Sequence, residues 1–175
     1  GTISSRVSIQ GPIVKEKASF IISARRTYVD VLAKPFIKKE SAFYGSGYYF
    51  FDLNTKFNYK FSEKDRLFMS GYFGRDVFTF KNKERSFNAR IPWGNSTGTI
   101  RWNHVFSSKL FANTSVVWND YQFAFEGAQS NFEVKFNSAI RDITTKIGFD
   151  YYPVTGHQLK YGLNYTFHRF NPQTT

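Results

Sequence analysis

Four arginines recur at roughly nine to thirteen residues from tight polar turns: Arg26 in "ARRTY", Arg75 in "GRDV", Arg141 in "IRDI" and Arg169 in "FHRF". All four share the alternation parity of the neighbouring aromatics. Guanidinium groups grip phosphate oxygens through paired N–H donors, so arginines held at one height suit a phosphate-bearing ligand. Ordinary strand-end charge, paired with Asp30, Asp76 or Asp142, explains the same positions without a ligand. A second set lies in "FFDLNTKFNYKFSEKDRLFMSGYF" (50–73), where Asp52, Asn54, Lys56, Asn58 and Lys60 alternate with Phe51, Leu53, Thr55, Phe57, Tyr59 and Phe61. Near the C-terminus Lys160 and Asn164 alternate in the same way with Leu159, Tyr161, Leu163, Tyr165 and Phe167. Carboxylates, amides and ammonium groups in a line require a wet surface. They suit hydration, salt bridging or contact with a polar solute.

Other chemistry is missing from the sequence. His104, His157 and His168 lie far apart with no ligand spacing, and there is no cysteine, so neither a metal site nor a disulfide scaffold is expected. "YGSGYY" (44–49) reads as turn glycine with interfacial tyrosine rather than a phosphate loop, and no nucleophile elbow occurs. The expectation is a non-enzyme without a cofactor. Lys and Arg number 24 against 13 Asp and Glu, a formal charge of +11, which favours an anionic partner. These charges are dispersed among strands and loops, with no groove or recognition helix, so nucleic acid is not the expected one.

The elements that must position these residues are strands. Alternation recurs along nearly the whole chain, and about eight strands are read, at 4–13, 18–32, 48–62, 66–80, 95–106, 110–125, 138–152 and 157–170. Tight turns fall at "VKEK" (14–17), "SEKD" (62–65), "SSK" (107–109) and "PVTG" (153–156). Longer polar connections are expected at 33–47, 81–94 and around 126–131. Short turns alternating with long loops, on strands of ten or more residues, are the pattern of a transmembrane antiparallel β-barrel. Aromatic residues make up 20% of the chain, an excess that calls for an apolar or interfacial partner.

In a barrel the aromatic set would face lipid, because a Lys or Arg near the bilayer midplane costs on the order of 2–4 kcal/mol. The polar set, Asp52, Asn54, Lys56, Asn58, Lys60, Lys160 and Asn164, would face the lumen or a plug packed inside it. The four arginines would then meet lipopolysaccharide phosphates at the outer leaflet. The strands near 66–80 and 110–125 carry large side chains on both faces, as expected against a lumen-filling domain. With short turns on the periplasmic side, both chain ends fall on the loop side, so the expectation is a section of a wider barrel. Two other architectures fit the alternation: a soluble or surface β-sandwich binding carbohydrate, and a small closed barrel with an adhesive or structural role.

"SSRVSIQGPIVKEKASFIISARRTYVDVL" (4–32) and "YYFFDLNTKFNYKFSEKDRLFMSGYFGRDVF" (48–78) resemble TonB-dependent outer-membrane transporters. The similarity is to the SusC-like branch and its relatives with a carboxypeptidase-regulatory-like domain. "GNSTGTIRWNHVFSSKLFANTSVVWNDY" (94–121) and "IRDITTKIGFDYYPVTGHQLKYGLNYTFHRFNP" (140–172) are similar to later strands of the same group. The resemblance implies a 22-stranded barrel occluded by an N-terminal plug, with energy delivered through TonB. It also implies uptake of a large nutrient (glycan, peptide or metal chelate), sometimes with a lid-like surface lipoprotein. The segment would belong to the first half of the barrel, and its location would be the cell outer membrane.

Overall fold

The computed structural model describes residues 2–174. They form one antiparallel sheet of eight strands in strict sequence order. The strands are β1 (Ser4–Val14), β2 (Ala18–Thr27), β3 (Gly47–Lys60), β4 (Asp65–Asn82), β5 (Phe87–Ser107), β6 (Leu110–Gln129), β7 (Phe132–Tyr151) and β8 (Leu159–Thr174). A single helical turn, α1 (Val29–Leu32), and a 3-10 turn over Lys34–Phe36 interrupt the β2–β3 connection, so β2 ends five residues short of the expected 32. Among the described residues no ladder joins β1 to β8. The small closed barrel and the two-sheet sandwich are therefore not the architecture observed.

Register divides every side chain between two faces, named here after neighbours in β3. The pairs Phe20↔Phe57, Phe57↔Met69 and Met69↔Ile100 continue through Val116 and Thr145 to Tyr165 along one row of the Phe57 face. On the opposite, Lys56 face, Ile21↔Lys56, Lys56↔Ser70 and Ser70↔Thr99 continue to Val117, Thr144 and Thr166.

Almost nothing apolar is enclosed. The buried apolar residues are Ala18, Val77, Ala89 and Ala112, and among the described residues no large side chain is fully buried. A single layer has no second layer to pack against, so its large apolar residues remain open to whatever surrounds it. Leu163 is 79% exposed, Ile100 52% and Trp118 43%.

The connections differ from expectation. Only residues 28–46 form a long loop; 81–94 and 126–131 are strands that continue into tight turns at 83–86 and 130–131. Ser86 and Ser130 occupy the left-handed region in these turns, at φ 47° and 55°. The tight turn expected at 153–156 belongs instead to a wider connection, 152–158. Loop length alone is thus not sorted by side. Extra strand length replaces it, since β5 runs 21 residues and β6 and β7 run 20 each.

Two local features mark the extended strands. Pro92 has no N–H to donate, and the β5–β6 ladder is interrupted at Ile91 and Pro92, between the pairs Arg90↔Glu126 and Trp93↔Phe123. Beside it the β4 and β5 backbones approach so closely that a Cβ on Gly94 would stand 2.7 Å from the Gly74 carbonyl oxygen.

Candidate functional site

On the Phe57 face an apolar stretch is followed by a charged one in strand after strand. In β6 it comprises Leu110, Ala112, Thr114, Val116 and Trp118, and then Asp120, Gln122 and Glu126 take over. In β7, Tyr151 to Ile143 gives way to Arg141, Ala139 and Asn137; in β8, Leu159 to Phe167 gives way to Arg169, Asn171 and Gln173. From β6 to β8 the band follows the ladder rows, from Leu110↔Tyr151↔Leu159 to Trp118↔Ile143↔Phe167, and its upper end stands one same-face row higher in β2 and β4. It ends at Arg26 and Arg75 in β2 and β4, and one row lower, at Asp120, Arg141 and Arg169, in β6 to β8.

The Lys56 face has the reverse order. At the height of the band it carries Lys56, Asn58, Ser70, Thr99, Asn119 and Lys146. Beyond it the side chains become aromatic: Tyr48, Phe50, Phe78, Trp93, Phe123 and Phe136. Tyr48 stacks on Trp93 with ring centroids 6.2 Å apart, and Phe123 meets Phe136 at 6.3 Å. The two faces therefore exchange polarity at one level. This accounts for part of the bulk on both faces of β4 and β6: Phe78 and Phe123 lie beyond the band, whereas Phe68 and Phe111, on the Lys56 face, share its height with Met69 and Leu110 on the other.

All seven expected polar residues stand on the Lys56 face. Asp52 is buried, accepting from Arg25 Nε at 2.8 Å and from Asn54 Nδ2 at 3.2 Å. Arg25 also lies over the Phe50 ring at 4.7 Å. Asn58 donates to the Ser19 hydroxyl, Lys60 pairs with Glu63, and Lys160 pairs with Asp150 at 3.2 Å. Lys60 holds the exposed Glu63 carboxyl, in the turn, below its usual range, chiefly through their hydrogen bond. Lys56 lines a hollow of about 810 Å³ with Gln10, Asn58, Ser70, Thr99 and Arg101. Asn164 lies apart from this group, on β8, opposite Lys146. Lys56 and Asn58 share a cavity, while Asp52, Asn54, Lys60 and Lys160 are held in ion pairs or hydrogen bonds with their neighbours.

Tyr48 stands beyond the height of the band. Its hydroxyl donates to Asp76 Oδ1 at 2.5 Å. Burial, reinforced by that bond and by the carboxylate charge, pushes the phenol up to about 12.

The four arginines all lie on the Phe57 face and are exposed, but they fall in two adjacent rows. Arg26 sits 3.9 Å from Asp30 and over the Tyr49 ring at 5.5 Å. Arg141 binds Asp120 at 2.6 Å, not Asp142, which lies on the other face against His168 at 2.7 Å. Asp76 likewise faces away from Arg75. Among the described residues neither Arg75 nor Arg169 has an ion-pair partner, although Arg169 stands directly opposite Arg141.

Sequence reading did not anticipate the polar hollow of about 340 Å³ beside the arginines, into which Arg75, Asp120, Gln122, Asn137 and Asn171 all open. The change of parity after Trp118 and Ile143 was the available signal for it. Among the described residues no group of His, Asp or Glu could hold a metal ion. No helix is long and apolar enough to cross a membrane, which says nothing of strands. No family model, curated protein or solved structure matches the chain.

Proposed function

We propose that this chain is a wall segment of a TonB-dependent outer-membrane transporter, with its Phe57 face in lipid and its Lys56 face toward the lumen and plug. The apolar band of the Phe57 face carries the reading. Its runs at 110–118, 143–151 and 159–167 are each about nine residues, or roughly 27 Å along a strand at about 3.4 Å per residue. A tilt of about 40° reduces this to roughly 20 Å, near the apolar height of about 25 Å expected of a membrane barrel.

Beyond the band, β4 to β7 would rise into water. There the outer surface becomes charged while the inner one turns aromatic and packs. On the turn side, Trp102 donates to Asp65 at 3.1 Å, an arrangement suited to a membrane interface. The unpaired edges of β1 and β8 would be joined to further barrel strands, since open edges do not persist in hydrocarbon. The paired charges around Asp52 and Lys160 suit contact with a plug or water, and the Lys56 hollow suits a passing solute. The cargo would be a glycan, peptide or metal chelate, with a surface lipoprotein lid and TonB as partners and no role for nucleic acid.

The test takes the full-length protein through membrane fractionation and detergent exchange. The reading expects an outer-membrane protein that aggregates without detergent, and uptake that stops when the inner-membrane energy supply is removed. A protein monodisperse in plain buffer would contradict it.

A further inference from the structure

We infer that the Phe57 face of β2 to β8 carries a binding site for one lipopolysaccharide molecule. Its phosphate would lie at Arg141 and Arg169, its headgroup sugar in the polar hollow, and an acyl chain in the groove below. The inference rests on the reading that this face is in the membrane.

The two cavities are neighbours along β4 to β6. Gly71, Gly98 and Trp118 line a groove of about 510 Å³ whose walls are almost wholly apolar, with Phe20, Met69 and Ile100 at its sides. Two residues further along the same three strands, Phe73, Ser96 and Asp120 line the polar hollow. Paired glycines across β4 and β5 leave a trough where any other residues would fill the sheet surface. A Cβ on Gly98 would still be 3.9 Å from the Trp118 ring.

The charges at the junction call for an anion. Arg141 and Arg169 are directly opposed across the ladder, a destabilising arrangement for like charges. A single carboxylate, Asp120, serves the pair, and it is bound to Arg141 and to Gln122. Arg169 is left with an exposed guanidinium and no partner among the described residues. Arg75 lines the hollow from the other side, also unpaired. A phosphate between Arg141 and Arg169 would be held by charge-assisted bonds from both. Above it, Gln122, Asn137, Asn171 and Gln173 supply amide donors and acceptors suited to sugar hydroxyls.

In height along the strands, the apolar groove, the row of the arginine pair and the amide-lined hollow follow one another in the order of acyl chain, phosphate and sugar, with the pair on β7 and β8 beside the groove. A glycerophospholipid would satisfy the first two and leave the amides unused. Arg26, held by Asp30 and stacked on Tyr49, lies outside the site.

The experiment titrates the full-length protein, delipidated in mild detergent, with three probes: bisphosphorylated lipid A, its dephosphorylated form and phosphatidylglycerol. Bound lipid is read by native mass spectrometry. Arg169→Ala removes an exposed side chain without a partner, and a gel-mobility shift verifies its fold. Lipid A should bind this variant about tenfold more weakly, the loss of one charged hydrogen bond. Gly98→Leu should weaken it by a similar factor, while Lys146→Ala, on the other face, should not change it. Phosphatidylglycerol and the dephosphorylated probe should both bind at least tenfold more weakly than lipid A.

Equal lipid A affinity in wild type and Arg169→Ala overturns the site, as does phosphatidylglycerol binding as tightly as lipid A. If the protein is detergent-dependent and these results occur, the site alone is wrong. If it is monodisperse without detergent and retains no lipid, the membrane reading falls with it.

Discussion

Val116 and Val117 are the same residue at consecutive positions of β6, on opposite faces. Replacing each by arginine separates the faces with a minimal change in the chain. The apolar run of β6 is centred near Thr114, so Val116 lies two residues above the middle, about 7 Å along the strand and about 5 Å in depth after tilt. Arginine at the midplane costs about 2–4 kcal/mol and almost nothing at the interface, roughly 12 Å away. Interpolation gives about 1.2–2.3 kcal/mol for Val116→Arg, a roughly 8- to 50-fold shift in the folding equilibrium. Val117 neighbours Thr99 and Thr144 on the Lys56 face, and Val117→Arg should cost under about 1 kcal/mol in a hydrated lumen. The assay is equilibrium urea unfolding of the full-length protein in lipid vesicles, followed by gel mobility and fluorescence. Equal cost for the two variants, or a larger cost at Val117, would refute the assignment of faces. In water the exposed Val116 would accept arginine without loss.

Gly94→Ala should destabilise the loop-side hairpin by about 1–3 kcal/mol, because its Cβ would meet the Gly74 carbonyl oxygen at 2.7 Å, whereas Gly98→Ala should be tolerated; urea midpoints compare the two. Ser130→Gly should stabilise by up to about 1 kcal/mol by relieving a left-handed serine, read from the same midpoints. The raised phenol of Tyr48 favours the protonated form in the fold, so its contribution is present below the ordinary value near 10 and is lost as pH rises through about 12. Ultraviolet titration of the protein against Tyr48→Phe should isolate this ionisation, and Asp76→Asn should move it back part of the way, since burial is the larger cause.

Much of the sheet was legible in the chain because alternation fixes which side chains share a face, whatever lies against it. Phe51 to Tyr59 and Asp52 to Lys60 fall where their parity put them, and so do all four arginines, while Phe61 lies just past the end of β3. Two things escaped that reasoning. Asn82 and Gln129 end strands because polar, charged sequence such as "KNKER" pairs as readily as it loops when backbone hydrogen bonds are available on an extended hairpin. The partners of the arginines also escaped it. Asp76 and Asp142 are adjacent in sequence to Arg75 and Arg141 but point to the other face, whereas Asp120 reaches Arg141 only through the β6–β7 register. The exchange of polarity between faces was visible in "VVWNDYQF", where the apolar parity switches after Trp118, but only the extended strands of the structure give that switch a common height.

Tryptophan quenching by brominated lipids tests the central claim most directly. Trp118 lies at the upper end of the band on the Phe57 face, while Trp93 lies on the Lys56 face beyond it. In single-tryptophan variants of the full-length protein in vesicles, with every other tryptophan replaced by phenylalanine, bromine placed shallow on the acyl chain should quench Trp118 strongly and leave Trp93 at its unquenched intensity. Quenching of Trp93 above Trp118, or of neither, would contradict a Phe57 face in lipid.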